Sequence, residues 1–202
     1  MKLRSSPLSP FGRKVKIGAI LCDIHLDVLP ADTTDPTDSL REQNPLGKIP
    51  VLLREDGPAI YDSRVIVEYL DMTAGGGVLI PAGGEDRIAA LTMLALGDGI
   101  ADAALLQMYE SRFRDPETHS ARWLDHQAGK VARGLAALEA APPQPLPVSG
   151  AAHIGEIAVA CALGYLDLRF AGAWRPGHPA LVAWLDAFCE RVPAFEATTP
   201  QT

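Results

Sequence analysis

The chain has 202 residues, enough for one large domain or two small ones with a buried core. Hydrophobic residues at 48% against 21% charged are an ordinary globular composition and exclude a disordered chain. With 18 Lys+Arg against 25 Asp+Glu, the net charge is -7 and no basic stripe appears, which argues against nucleic acid as a partner.

Residues 1–5 are a short strand candidate. Ser9-Pro10 marks a helix start, since Ser favours the N-cap and Pro the first helical position. A helix is predicted over 11–22 and a second strand over 26–29. The polar stretch 31–44 has room only for a short helix near 39–43. Segments 50–54 and 59–61 flank Glu55-Asp56-Gly57-Pro58, and Asp-Gly between apolar runs signals a hairpin. Ser63 is the expected cap of a helix over 64–72, whose apolar stripe is Val65, Ile66, Tyr69 and Leu70.

Glycines at 75–77 and 83–84 bracket a loop, and the boundary between a domain 1–75 and a domain 86–202 is placed there. Beyond it, alanine and leucine dominate and strand signals vanish. Helices are predicted over 86–112, 116–140, 154–170 and 179–191, with the proline-rich stretch 142–147 as an extended connector. The fold class is therefore α/β followed by all-α. Four strands are too few for a complete Rossmann sheet, so the sheet should be small and mixed.

The apolar stretches 91–108 and 151–168 are interrupted by Asp98 and Asp102 and by His153, Glu156 and Asp167, so no membrane span is expected. The opening MKLRSSPLSP has no apolar h-region, so no secretory signal is expected either. Cys22, Cys161 and Cys189 lie far apart without a C-x-x-C pair. They are expected to be buried structural thiols in a reducing cytoplasm. The five histidines show no ligand spacing, and no metal is expected. G-x-S-x-G, P-loop and G-x-G-x-x-G patterns are absent, which removes the common hydrolase, nucleotidase and dehydrogenase readings.

Three segments carry a resemblance. Ser6-Pro7-Leu8-Ser9-Pro10-Phe11-Gly12-Arg13-Lys14-Val15 looks like the start of a serine-type, bacterial-like cytosolic glutathione S-transferase. Asn44-Pro45-Leu46-Gly47-Lys48-Ile49-Pro50-Val51-Leu52 resembles that family's approach to its cis-proline. The segment from Tyr61 through Asp62-Ser63 to Leu70 resembles the one that binds the γ-glutamyl end of glutathione. The resemblance implies a thioredoxin-like βαβαββα domain, then a helical bundle. It also implies glutathione as co-substrate, a small hydrophobic electrophile as acceptor, and a homodimer.

Glutathione chemistry at neutral pH needs a thiolate, whereas a free thiol titrates at about 8.5. A helix N-terminus and a hydroxyl donor both favour the anion. By resemblance Ser9 is that donor, against the alternative of a plain N-cap, with Ser5 and Ser6 as competitors. Pro50 would follow a cis bond and present the Ile49 backbone to the cysteinyl part of glutathione. Asp62 and Ser63 would take its amino and carboxylate ends, Lys48 its glycyl carboxylate, and Phe11 would lie beside it. Many relatives carry Glu where this chain has Asp62.

Arg13 is read as a solvated helix residue, against the alternative of a neighbour of the sulfur site. Asp98 and Asp102, four apart on an apolar helix, need a partner or water; the resemblance implies that this helix lines the intersubunit cleft, where they could meet glutathione's amino group, and the preferred reading is a wet cleft with no ligand role. Phe11, Met108, Tyr109 and Phe113 are candidates for the acceptor pocket, or plain core. His153 stands where the family usually has a Ser/Thr cap, with Glu156 three residues on to complete a capping box. The leading function is a glutathione transferase. The alternatives are another glutathione-dependent enzyme (peroxidase, dehalogenase or isomerase) or a non-catalytic interaction module of the same fold.

Overall fold

The computed structural model describes residues 1–200; the last two residues of the predicted helical domain, Gln201 and Thr202, lie outside the described residues. Three strands, β1 (Lys2–Ser5), β2 (Asp27–Pro30) and β3 (Val51–Leu53), form a sheet in the order β2-β1-β3. β1 runs parallel to β2 and antiparallel to β3, with Arg4 opposite both Leu29 and Val51. This is the small mixed sheet the sequence predicts, with one difference. The fourth strand shrinks to a single bridge between Leu52 and Ile60. Pro58 has no N–H to donate, and its carbonyl accepts from the Arg54 guanidinium instead of a partner strand.

Eight helices accompany the strands: α1 (Pro10–Leu21), α2 (Leu40–Gln43), α3 (Ser63–Thr73), α4 (Gly84–Phe113), α5 (Ala121–Ala140), α6 (Ile154–Phe170), α7 (Pro179–Arg191) and α8 (Ala194–Ala197). The sequence reading runs one helix from 116 to 140. Instead, a 3-10 turn at Pro116–Thr118 precedes α5, because Ser120 caps the new helix by accepting from the Trp123 N–H. The short α8 has no counterpart in the sequence reading.

α6 is apolar nearly all round and buried along most of its length. It crosses α4 at backbone contact. A Cβ on Gly97 would lie 2.7 Å from the Ala158 carbonyl carbon, and one on Gly155 would lie 2.6 Å from Met93 Cβ. By length and composition α4 is apolar enough to cross a membrane. Here it packs against α5 and α6, with buried Ala90, Leu94 and Ile100 in that contact layer.

The N-terminus of α6 carries the predicted capping box. His153 Nδ1 accepts from the Gly155 N–H at 3.2 Å, and Glu156 Oε2 accepts from the His153 N–H at 3.1 Å. The loop between α3 and α4 is tied down rather than loose. Buried Asp71 accepts from the N–H groups of Gly77, Val78 and Leu79, while the Leu79 carbonyl accepts from Ile154. One hydrophobic cluster runs from Leu3 and Ile66 through Leu79 to Leu163 and Phe188, so the sheet half and the helical half share a core.

Candidate functional site

The sheet register brings the three singled-out segments to one end. The loop 6–9 leaves the Ser5 end of β1. β3 runs the opposite way, so Val51 pairs with Arg4 and Pro50 arrives beside that end. The Leu52–Ile60 bridge then carries the chain back to Asp62 at the same end. The Ile49–Pro50 bond is cis, as is the Tyr61–Asp62 bond.

Ser9 is the N-cap of α1. Its Oγ accepts from the Gly12 N–H at 3.1 Å, which occupies an acceptor lone pair and leaves the hydroxyl proton to donate. The cap and the donor are thus compatible roles for one residue. Of the competing serines, Ser5 is buried against α1, and Ser6 Oγ sits within its own turn, 3.4 Å from the Leu8 nitrogen. Only Ser9 of the three lines a crevice between the two halves. Its other walls are Leu8, Pro10 and Arg13, then Cys161, Gly164, Tyr165 and Leu168 of α6, and Pro200.

Buried Asn44 fixes the loop before Pro50. Its amide donates to the Lys48 carbonyl at 2.8 Å and its side-chain oxygen accepts from Leu46. Lys48 itself is exposed and Ile49 half-buried. At α3 the cap is Asp62, which accepts from the Arg64 N–H at 2.9 Å, and the helix begins one residue earlier than predicted. Ser63 is therefore a first-turn residue and its hydroxyl is not spent on capping. Phe11 packs half-buried against the hydrophobic core.

Arg13 is a correction. It is buried, not solvated: its guanidinium lies 3.7 Å from the Phe195 ring centroid and donates to the Phe195 carbonyl at 2.6 Å. It straps the α8 segment to α1. Asp98 is another. It does not stand open in a cleft, because Lys14 Nζ bonds both its oxygens, at 2.6 and 2.8 Å, and Arg64 Nε reaches Oδ2 at 2.9 Å. Burial pushes the Lys14 ammonium down, against the pull of Asp98. Asp102, one turn on, reaches the surface; partial burial first and the Asp98 charge second raise its carboxyl, opposed by Arg64, Lys48 and Lys14.

Sequence reasoning missed Lys14 and Arg64 as partners, although two acids on an apolar helix already implied buried cations. Of the acceptor-pocket candidates, Met108 faces a second cavity with Gln107, Glu110 and Leu124, while exposed Phe113 stands edge-on to Tyr109. Two thiols are buried as expected, and burial pushes Cys161 up to about 12 and Cys22 up to about 11, whereas Cys189 is only partly buried.

Comparison with known proteins agrees with this arrangement. Residues 3–77 match the family model of the glutathione S-transferase N-terminal domain, and residues 121–187 match that of the C-terminal domain. An uncharacterized GST-like protein, YibF of Escherichia coli (strain K12), is 31% identical over 99% of this chain and 98% of its own.

The chain belongs to the glutathione S-transferase family.

Solved glutathione S-transferase structures extend the likeness. One from Methylobacillus flagellatus KT with GSH bound has 37% identity and a TM-score of 0.90, covering 99% of each chain. A glutathione transferase family member from Pseudomonas fluorescens Pf-5 with bound glutathione has 41% identity and a TM-score of 0.86, covering 100% of this chain and 99% of that one. The same Pseudomonas family member was also solved with bound S-(propanoic acid)-glutathione, at a TM-score of 0.85. Within this chain, the helix-start serine and the cis-proline loop stand at one end of the sheet, and the helical domain closes the crevice above Ser9.

Proposed function

We propose that this chain is a serine-type, bacterial-like glutathione transferase that joins the glutathione sulfur to a small electrophile. The observation that carries the reading is Ser9. It is a helix N-cap whose acceptor is used by Gly12 and whose proton is left to donate, at the wall of an interdomain crevice. A sulfur placed there meets a hydroxyl donor and the positive end of α1 together, and both lower the thiol pKa. The thiolate then forms a C–S bond at the electrophilic carbon. The leaving group departs with its bonding pair, and the thiol proton goes to solvent.

Ile49 and Pro50 would offer backbone to the cysteinyl part, with Asp62 and Ser63 at the γ-glutamyl end and Lys48 at the glycyl carboxylate. Phe11 stands on the first turn after Ser9. The glutathione complexes of the Methylobacillus and Pseudomonas relatives support glutathione as the co-substrate. Domain limits of 1–75 and 86–202, a cytoplasmic location and a homodimer belong to the same reading. The dimer is supported by an exposed apolar face on α3 and α4, where Val65, Met72 and Ile88 are each more than half exposed.

The test is the ultraviolet absorbance of bound thiolate across pH. The wild type should show a thiol pKa well below the free value. Ser9→Ala should lose most of the depression, and so should Ser9→Asp, which keeps a cap acceptor but has no proton to give. Ser9→Thr should keep it. An undepressed thiol in the wild type, or full depression in Ser9→Asp, refutes the role of Ser9.

A further inference from the structure

A second cavity lies within the helical half, between the last turns of α4, the start of α5 and the end of α6. Its volume is about 410 Å³, it opens to solvent, and it shares no wall residue with the crevice beside Ser9. Small-molecule sites occupy this size range, from about 300 Å³ upward. Half-buried Met108, Leu124 and Phe170 supply apolar walls.

The polar walls present mostly acceptors, because their donors are already used. The Gln107 amide donates to the Ala103 carbonyl at 3.3 Å, which leaves its side-chain oxygen to accept. The Ser111 hydroxyl gives its one proton to the Met108 carbonyl at 3.0 Å and keeps its lone pairs. His119 Nε2 lies 3.3 Å from the Arg114 carbonyl, which can only accept, so the neutral ring carries its hydrogen there and turns Nδ1 into an acceptor.

Glu110 is the strongest acceptor of the set and is only 5% exposed. Its Oε1 accepts from the Ser120 N–H at 2.8 Å. Its Oε2 accepts no hydrogen bond among the described residues; Arg114 Nε stands 3.4 Å away, on a side chain more than half in water. A buried carboxylate oxygen without a close donor is costly, so it calls for one. Gln107 and Ser111 lie three residues before and one after Glu110, so the first shares its helix face and both line the same cavity. Exposed Asp125 adds a second negative charge to the walls.

We propose that this cavity binds an organic ammonium ion. The apolar body lies against Met108, Leu124 and Phe170, and the ammonium group donates to Glu110 Oε2. Its three hydrogens match a wall rich in acceptors, with Gln107 and Ser111 beside the carboxylate. A carboxylate or phosphate ligand would instead meet two acids and a row of lone pairs. The site stands apart from the transferase reading, and neither depends on the other.

The experiment is calorimetric titration with phenethylammonium, phenethyl alcohol and phenylpropionate, which share an apolar body and differ in the head group. The wild type should bind the ammonium at millimolar concentration or below, about tenfold or more tighter than the alcohol, and should not bind the propionate. Glu110→Gln keeps an oxygen for the Ser120 N–H and removes the charge. It should weaken the ammonium by about 10- to 100-fold, the scale of one hydrogen bond to a charged group, and leave the alcohol within about twofold. Ala128→Trp places an indole in the cavity from an exposed position on α5 and leaves Glu110 as it is. It should abolish binding of both the ammonium and the alcohol, and it keeps the test decisive if Glu110→Gln does not fold. Absence of ammonium binding by the wild type, equal binding of ammonium and alcohol, or ammonium binding that either variant leaves intact overturns the assignment. None of these results bears on Ser9.

Discussion

Replacing Asp98 with Asn removes the only full negative charge that touches Lys14 Nζ among the described residues. The ammonium is almost wholly buried, with a side-chain exposure of 1%, and both its short bonds go to Asp98. Breaking one partner of a buried pair costs about 3–5 kcal/mol, because the other charge is left in a low dielectric. Asn retains one carbonyl oxygen for Nζ, which places the variant near the lower end. At about 2–4 °C per kcal/mol for a chain of this length, Tm should fall by roughly 6–12 °C. Arg64 adds little, since half of its side chain reaches water.

The loss should depend on pH in a fixed direction. Burial already lowers the Lys14 value in the folded chain, and without Asp98 nothing comparable holds it up. The unfolded chain then binds the proton more readily than the folded one, so stability rises with pH. The variant's deficit is fullest below the folded Lys14 value. It should shrink by about 1.4 kcal/mol per pH unit from there up to the wild type's own lowered Lys14 value, above which the two proteins titrate in parallel. Urea denaturation between neutral pH and pH 10 measures this. The double variant Lys14→Met with Asp98→Leu should recover most of the lost stability, because a buried pair replaced by apolar residues is often neutral. A single variant less than 1 kcal/mol below wild type, with a flat pH profile, would refute the argument.

Two further outcomes follow from the geometry. His153 caps α6 through a neutral ring: Nδ1 accepts from Gly155, so Nε2 carries the hydrogen and donates to the Gln144 carbonyl at 3.2 Å. Burial lowers its pKa, outweighing Glu156. Wild-type stability should therefore fall as pH drops below about 6.5, the unfolded histidine value. His153→Asn, which keeps a cap acceptor, should flatten that limb in denaturation curves taken at stepped pH, and an unchanged slope would count against the cap tautomer. The exposed face of Val65 and Met72, seven residues apart on α3, should hold two copies together. In sedimentation the wild type should run at twice the 21.5 kDa chain mass, and Val65→Glu with Met72→Glu should run as single chains. A wild type that sediments as a single chain at micromolar concentration would remove the dimer.

Much of the fold was legible because local signals agreed with one another. Periodicity and punctuation placed α6 and α7 at the residues where they occur, and Ser9-Pro10 announced α1 to within a residue. The errors are informative. A hairpin signal at Asp56-Gly57 predicts two strands, yet the second needs donors, and Pro58 removes one. Helix periodicity through 116–140 hid the break at Ser120. There the cap and the Ser120–Glu110 bond outweigh continuity, and Glu110 lies ten residues back on another helix.

The site was legible in its short-range part and illegible in its long-range part. Ser9, Pro50 and Asp62 sit in short contiguous segments, so the resemblance of those segments to the family was enough to single them out as candidates. Lys14, Arg64 and Arg13 act on partners 84, 34 and 182 residues away, and periodicity carries no information at that range. The acids still left a trace. An aspartate in the middle of an apolar helix must meet a cation or water, so Asp98 alone required a buried partner from another element. That partner comes from the first helix, which starts at Ser9, and the second cation comes from the helix that starts at Ser63. One carboxylate of the helical domain thus holds both helix starts of the sheet domain, and the ends that form the candidate glutathione site are set by a residue outside it.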